Sequence, residues 1–155
     1  MVLAVPMSVK CERPPEAWCW ERLRNLRWPA RVVCPRCRQK AGRHYRRRHV
    51  QYYRCARCRR MFSDRTKTPF EASRLPLACW FQAIVWLMIN EPGTVRGLAQ
   101  MLGVDPRTAK RMTQRLAGLD TDKLLRSIGV SVLCWKPDPK GQIGVAGDTV
   151  SDAIL

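Results

Sequence analysis

Apolar residues follow a helical period at the start of this chain, lose it in the middle and regain it further on. Trp18, Cys19, Leu23 and Leu26 recur at helical spacing, which predicts a helix from Glu16 to about Leu26 behind Pro14-Pro15. Trp28-Pro29 stops it, because a residue before proline is pushed out of the α region. Val32-Val33, Gln51 to Arg54 and Met61-Phe62 then read as short strand-like pieces. Ser63 to Ser73 is polar and reads as an extended connector with Phe70 anchored. From Leu77 to Asn90 the pattern fills in, with Trp80, Phe81, Ile84, Val85, Leu87 and Met88, as in a helix buried on most sides. Glu91-Pro92-Gly93 breaks it.

Two shorter amphipathic stretches follow. Thr94 can N-cap a helix over Val95 to Leu102, with Leu98 and Met101 facing inward and Ala99 allowing close approach. Gly103 supplies the positive φ of a tight turn. Asp105 caps the next helix and Pro106 takes its first position, where a missing N–H costs nothing. That helix runs to about Leu116, with Ala109, Met112 and Leu116 on its inner face. Two short helices joined through Gly103-Val104 and braced by a longer apolar helix make a helix-turn-helix. Beyond Asp120 the pattern predicts a helix to Ser127, ended by Ile128-Gly129. Val130 to Trp135 reads as a strand, Lys136 to Gly141 as a linker, and Gln142 to Val150 as the start of another strand.

The stretch without helical period carries two C-x-x-C pairs, Cys34-Pro-Arg-Cys37 and Cys55-Ala-Arg-Cys58, with seventeen residues between them. Each pair can bend into a knuckle that turns two thiolates toward one point, and two knuckles close a tetrahedral shell around Zn²⁺. Disulfides would close a small strained loop within each pair. A redox C-x-x-C belongs beside a βαβ pattern, which is not visible here. One structural zinc on Cys34, Cys37, Cys55 and Cys58 is therefore expected, with His44 and His49 dispensable.

Charge adds a partner. From Arg22 to Ser63 there is no Asp or Glu but there are fifteen Lys or Arg, and the whole chain has a net charge of +17. Solvated faces usually mix signs, so a one-signed block points to a polyanion, and guanidinium fits phosphate better than ammonium does. Arg43, Arg46, Arg47 and Arg48 are expected in a loop between the knuckles, as contacts to the DNA backbone. Tyr45, Tyr52 and Tyr53 lie among them, to stack on bases or to pack the ribbon. The outer face of the second short helix carries Arg107, Thr108, Lys110, Arg111, Gln114 and Arg115, residue types that reach phosphates and base edges. Arg107, Thr108 and Arg111 are the expected base readers; Lys110 and Arg115 are the expected phosphate contacts.

The remaining cysteines, Cys11, Cys19, Cys79 and Cys134, are scattered, as reduced thiols of a cytoplasmic protein would be. Met1 to Lys10 lacks the basic lead and cleavage site of a signal peptide. Leu75 to Ile89 falls short of the roughly 20 residues that span a bilayer, so no membrane partner is expected.

Taken in order, these residues resemble the zinc-ribbon DDE transposases of bacterial insertion sequences. The resemblance runs through Cys19, Arg27-Trp28-Pro29, Val33-Cys34-Pro35-Arg36-Cys37, Tyr53-Arg54-Cys55 to Cys58, and Phe62-Ser63. It continues through Thr66, Thr68, Phe70, Leu75-Pro76-Leu77, Trp80-Phe81 and the Leu98–Arg115 helix-turn-helix, and covers roughly residues 15–118. It implies that the ribbon and helix-turn-helix bind terminal inverted repeats, and it admits a homodimer there. In such proteins a following RNase H-like domain cuts and joins DNA with Mg²⁺ on three acids. Arg38, Arg59 and Lys67 depart from the family, standing where glycine or a small residue is common. Val145 to Thr149 looks like the first nuclease strand, with Asp148 as the first catalytic acid or simply a loop aspartate. Two-metal phosphoryl transfer needs several convergent carboxylates, so no catalysis by this chain alone is expected.

The expected fold is small α+β: an N-terminal helix and a zinc ribbon of β-hairpins with four-cysteine zinc knuckles, then an all-α helix-turn-helix bundle and a short β remnant. The expected division is 15–74, 75–118 and 119–155, the last being linker and possible first strand of a truncated nuclease domain. The expected function is sequence-specific binding of double-stranded DNA. Two alternatives stand beside it: part of an active transposase completed by a downstream frame, or an RNA- or ribosome-associated zinc ribbon. The deep, narrow major groove of A-form RNA argues against the last.

Overall fold

The computed structural model describes residues 12–90, 94–119 and 121–136. Among these, the chain forms α1 (Glu16–Arg27), β1 (Ala41–Arg47), β2 (Val50–Cys55), β3 (Met61–Ser63), α2 (Leu77–Ile89), α3 (Val95–Leu102), α4 (Pro106–Arg115) and α5 (Lys123–Cys134). The strands make one antiparallel sheet in the order β1-β2-β3. This is the small α+β arrangement expected.

Two hydrophobic clusters divide the interior. The larger takes Cys19, Trp20 and Leu23 from α1, Phe70 from the connector, and the inner faces of α2 to α5. Every residue from Leu77 to Val85 is buried, as an apolar helix with neighbours on most sides requires. The smaller cluster holds Cys34, Tyr53, Cys55 and Phe62, with Trp28, Val32 and Ala41 packed against it. Side-chain hydrogen bonds join α1 to α2 and to α5. Glu16 accepts hydrogen bonds from the N–H groups of Leu77 (2.8 Å) and Ala78 (2.9 Å), capping α2, whose own N-cap Pro76 offers no side-chain acceptor. Arg22 Nε donates to Ser131 Oγ of α5 at 2.9 Å.

Helices α3 and α4 and the turn between them form from the local signals that predicted them. Thr94 Oγ1 accepts from the Gly97 N–H (3.1 Å), Asp105 Oδ1 accepts from the Arg107 N–H (2.7 Å), and Gly103 has φ 66°. Leu98, Leu102, Ala109 and Met112 face the core. Met101, expected to face inward, is exposed. At about 100° per residue, Leu98, Ala99 and Leu102 define the buried sector and Met101 falls outside it.

Four other expectations are corrected. Arg43, Arg46 and Arg47 lie on β1 rather than in a loop, and only Arg48 and His49 form the hairpin turn. β1 is exposed along nearly its whole length, so no apolar alternation marked it as a strand. Ser63 closes β3, and the connector after it to Ser73 is not extended. It is a chain of turns closed by Thr66 N–H to Ser63 O, Thr68 N–H to Arg65 O and Glu71 N–H to Thr68 O, with Phe70 fully buried as expected. The helix expected to run to Ser127 continues through Ile128-Gly129 to Cys134, so Val130 to Trp135 is no strand. Residues 123–134 are likewise no linker, since Leu125, Ile128 and Val132 enter the main core. Packing explains Gly129: a Cβ there would stand 2.1 Å from Met88 Sδ and 3.2 Å from Ile84 Cγ2 of α2. The readings of Met1 to Lys10, Cys11, Glu91-Pro92-Gly93, Pro137 to Gly141, Gln142 to Val150 and Asp148 lie outside the described residues.

Candidate metal centre and nucleic-acid interface

The two knuckles repeat one hydrogen-bond pattern. In the first, the Arg38 N–H donates to Cys34 O (2.9 Å) and the Cys34 N–H to Gln39 O (2.8 Å). In the second, the Arg59 N–H donates to Cys55 O (3.1 Å) and the Cys55 N–H to Arg60 O (3.0 Å). The residue after each second cysteine must turn left-handed to close this pattern, and Arg38 and Arg59 both have φ 58°. Lys67 also has φ 58°. The three departures from the resembled family therefore fall on positions whose backbone favours glycine.

The knuckles bring Cys34 and Cys58 to 3.6 Å and Cys37 and Cys55 to 3.4 Å between sulfurs, and all four Sγ atoms lie within 4.8 Å of one another. Four sulfurs at about 2.3 Å from a tetrahedral zinc are about 3.8 Å apart, so the set fits the ion. With four thiolates the shell is complete and has no open position for a reacting water, which makes the zinc structural. Backbone N–H groups prepare the sulfurs. The Cys58 N–H donates to Cys55 Sγ at 3.4 Å and holds that thiol down to about 6, against the opposing effect of burial. Cys58 is pushed up to about 11. The Arg60 N–H acts to lower it, but burial and the three neighbouring sulfurs outweigh that donor. Sulfurs this close cannot all release their protons without a cation among them. His44 and His49 are exposed and stand outside the cluster. Cys19 and Cys79 are buried in the helical core with raised thiol pKa values, chiefly from desolvation, and are packing residues.

A buried carboxylate, absent from the expected site residues, fixes the ribbon to α1. Asp64 has no solvent exposure. Its Oδ2 accepts from Arg24 Nε (3.2 Å), and its Oδ1 accepts from Trp28 Nε1 (3.0 Å) and the Tyr53 hydroxyl (2.8 Å). Arg27 donates to the Asp64 carbonyl (2.5 Å) and to Thr66 O. Burial, then the neighbouring carboxylate, pushes the Tyr53 hydroxyl up to about 12. Tyr53 thus packs and anchors the ribbon. The sequence did hold a signal: Asp64 is the first acid after Glu21.

The basic residues lie on two separate elements. Arg43, Arg46, Arg47 and Arg48 project from β1 and its turn, all exposed. On α4, Arg107, Lys110, Arg111, Gln114 and Arg115 are exposed and Thr108 is half-buried, while Ala109 and Met112 face the core. Arg115 Nη1 donates to Pro69 O (3.2 Å) and Glu71 O (2.9 Å), tying α4 to the connector. A groove of about 400 Å³ runs between that connector at Ser73, Arg74 and Leu75 and the α4 residues Thr108, Arg111 and Arg115. The single ion pair among the described residues is Arg24–Asp64. These exposed cations therefore have no acidic partner there.

Residues 14–61 match the family described as the transposase zinc-ribbon domain. Over this segment the chain is similar to transposase zinc ribbons. The chain is also 37% identical over 103 residues to a Halobacterium salinarum protein described as an uncharacterized protein in transposable element ISH50. That match covers 65% of this chain and 35% of the relative, so the chain spans about a third of the relative's length. No solved structure matches. No helix among the described residues is long and apolar enough to cross a membrane.

Proposed function

We propose that this chain is the DNA-binding part of an insertion-sequence transposase and recognises the terminal inverted repeats of its element. The observation that carries this reading is α4. It is capped at Asp105, seated on the core through Ala109 and Met112, and shows Arg107, Lys110, Arg111 and Gln114 to solvent without acidic partners. The N-terminal half of such a helix approaches the bases, so Arg107, Thr108 and Arg111 read them. Lys110 holds phosphate, as does Arg115 through the donors not engaged by Pro69 and Glu71. The zinc ribbon presents Arg43, Arg46, Arg47 and Arg48 to the DNA backbone. Two copies on paired repeats form the working assembly. Strand cleavage falls to residues other than those described, and the greater length of the ISH50 relative leaves room for them in a protein of that kind.

Arg107 and Arg111 are one helical turn apart, each able to form a bidentate pair with guanine. Replacing either with Ala is expected to cost roughly 1–3 kcal/mol on an inverted-repeat duplex and much less on a scrambled one. Titrating both duplexes with zinc-loaded wild type and each variant is the test. Equal losses on the two duplexes would remove α4 as the reader.

A further inference from the structure

A second basic groove, of about 350 Å³, opens beside the second knuckle and is lined by Gly42, Arg43, Arg54, Cys55, Ala56 and Arg59. Three features shape its walls. Arg43 and Arg54 are direct cross-strand partners, a like-charged pairing that destabilises a sheet. Arg59 holds φ 58°, the left-handed conformation that closes the second knuckle, and this aims its side chain from the residue after Cys58. The β1–β2 register slips between Ala41 and Arg43, and at Gly42 an added Cβ would stand 3.2 Å from Ala56 Cβ, so β1 runs close over the knuckle. None of the three guanidiniums has an acidic partner among the described residues. The stacked, partly exposed pair Tyr45–Tyr52, with ring centroids 5.2 Å apart, adjoins them in the same cross-strand ladder.

We propose that this groove holds one backbone phosphate of duplex DNA, clamped by Arg43, Arg54 and Arg59. The contact rests on the DNA-binding reading above and adds an anchoring point away from α4. Guanidiniums suit a phosphate through paired N–H donors. The competing role for Arg59 is to offset the dianionic zinc–thiolate centre. Arg38 occupies the matching position of the first knuckle, with the same φ, and does not line the groove. It is therefore the internal control.

The test uses the full zinc-loaded chain and a random-sequence duplex, because a phosphate contact ignores sequence. Affinity is measured across a salt series for wild type, Arg59→Gly, Arg54→Ala, the double variant and Arg38→Gly. Glycine relieves the left-handed backbone at both knuckles, so misfolding would not explain a loss. Arg59→Gly and Arg54→Ala should each weaken binding roughly five- to tenfold at 0.1 M salt and lower the slope of log K against log salt by roughly 0.9. The double variant should lower the slope no further, since both residues serve one phosphate, and Arg38→Gly should stay within about twofold of wild type. Zinc content should be unchanged throughout. Wild-type affinity in Arg59→Gly, equal losses in Arg38→Gly and Arg59→Gly, or zinc loss in Arg59→Gly would each overturn the groove while leaving α4 recognition standing. A wild-type chain that binds no duplex would overturn both.

Discussion

Asp64 is a carboxylate without solvent contact in a chain of net charge +17. It survives burial because Arg24, Trp28 and Tyr53 all donate to it, which answers the desolvation cost of its charge. Asp64→Ala would leave the half-buried Arg24 and the donors of Trp28 and Tyr53 facing a void, and we expect a loss of about 3–5 kcal/mol, read from denaturant unfolding at saturating zinc. A loss below about 1 kcal/mol would mean that the network contributes little. Asp64 was hard to read from sequence because a lone acid in a polar connector looks solvated, and its partners are 11 to 40 residues away. Arg38, Arg59 and Lys67 were easier. Their departure from the glycine or small residue common in the resembled family was visible in the chain, and the structure supplies the meaning: all three are left-handed.

At the scale of elements, legibility followed the range of the forces. The ends of α3 and α4 were readable because Thr94, Gly103, Asp105 and Pro106 act within a few residues of themselves. The end of α5 was not, because Gly129 serves another helix. Its missing side chain lets α2 approach, and Met88 and Ile84 occupy the space a Cβ would need. Gly129→Ala should therefore destabilise the protein by about 1–3 kcal/mol through overpacking, despite a gain in helix propensity of up to about 1 kcal/mol. Thermal unfolding of the variant checks this, and a raised Tm would show that the α2–α5 contact yields easily. β1 escaped detection for a different reason: a strand exposed on both faces has no apolar period to show.

The molecule as a whole joins a well-filled helical core to a ribbon whose own cluster holds only Cys34, Tyr53, Cys55 and Phe62, two of them zinc ligands. So small a cluster needs its metal, which contributes on the order of 10–16 kcal/mol in comparable zinc peptides. Elemental analysis should find one zinc per chain, lost in Cys34→Ser/Cys37→Ser and retained in His44→Ala/His49→Ala. Chelation should melt the ribbon while much of the helical circular dichroism persists, since the helical core contains no zinc ligand. Loss of all helical signal on chelation would show that the two clusters fold as one unit. The cysteine spacing made this centre legible, because all four ligands lie within 25 consecutive residues, from Cys34 to Cys58. The basic face of α4 was legible from its helical period, but the placement of Arg43, Arg46 and Arg47 on a strand required the fold.

Sequence-specific recognition of duplex DNA can be checked by selection from a pool of random duplexes with the zinc-loaded chain. One motif that matches the terminal repeats of an insertion sequence should be enriched, and it should be lost when Arg107 and Arg111 are both replaced by Ala. A pool left without a motif after repeated rounds, or the same motif enriched by the doubly substituted chain, would contradict it.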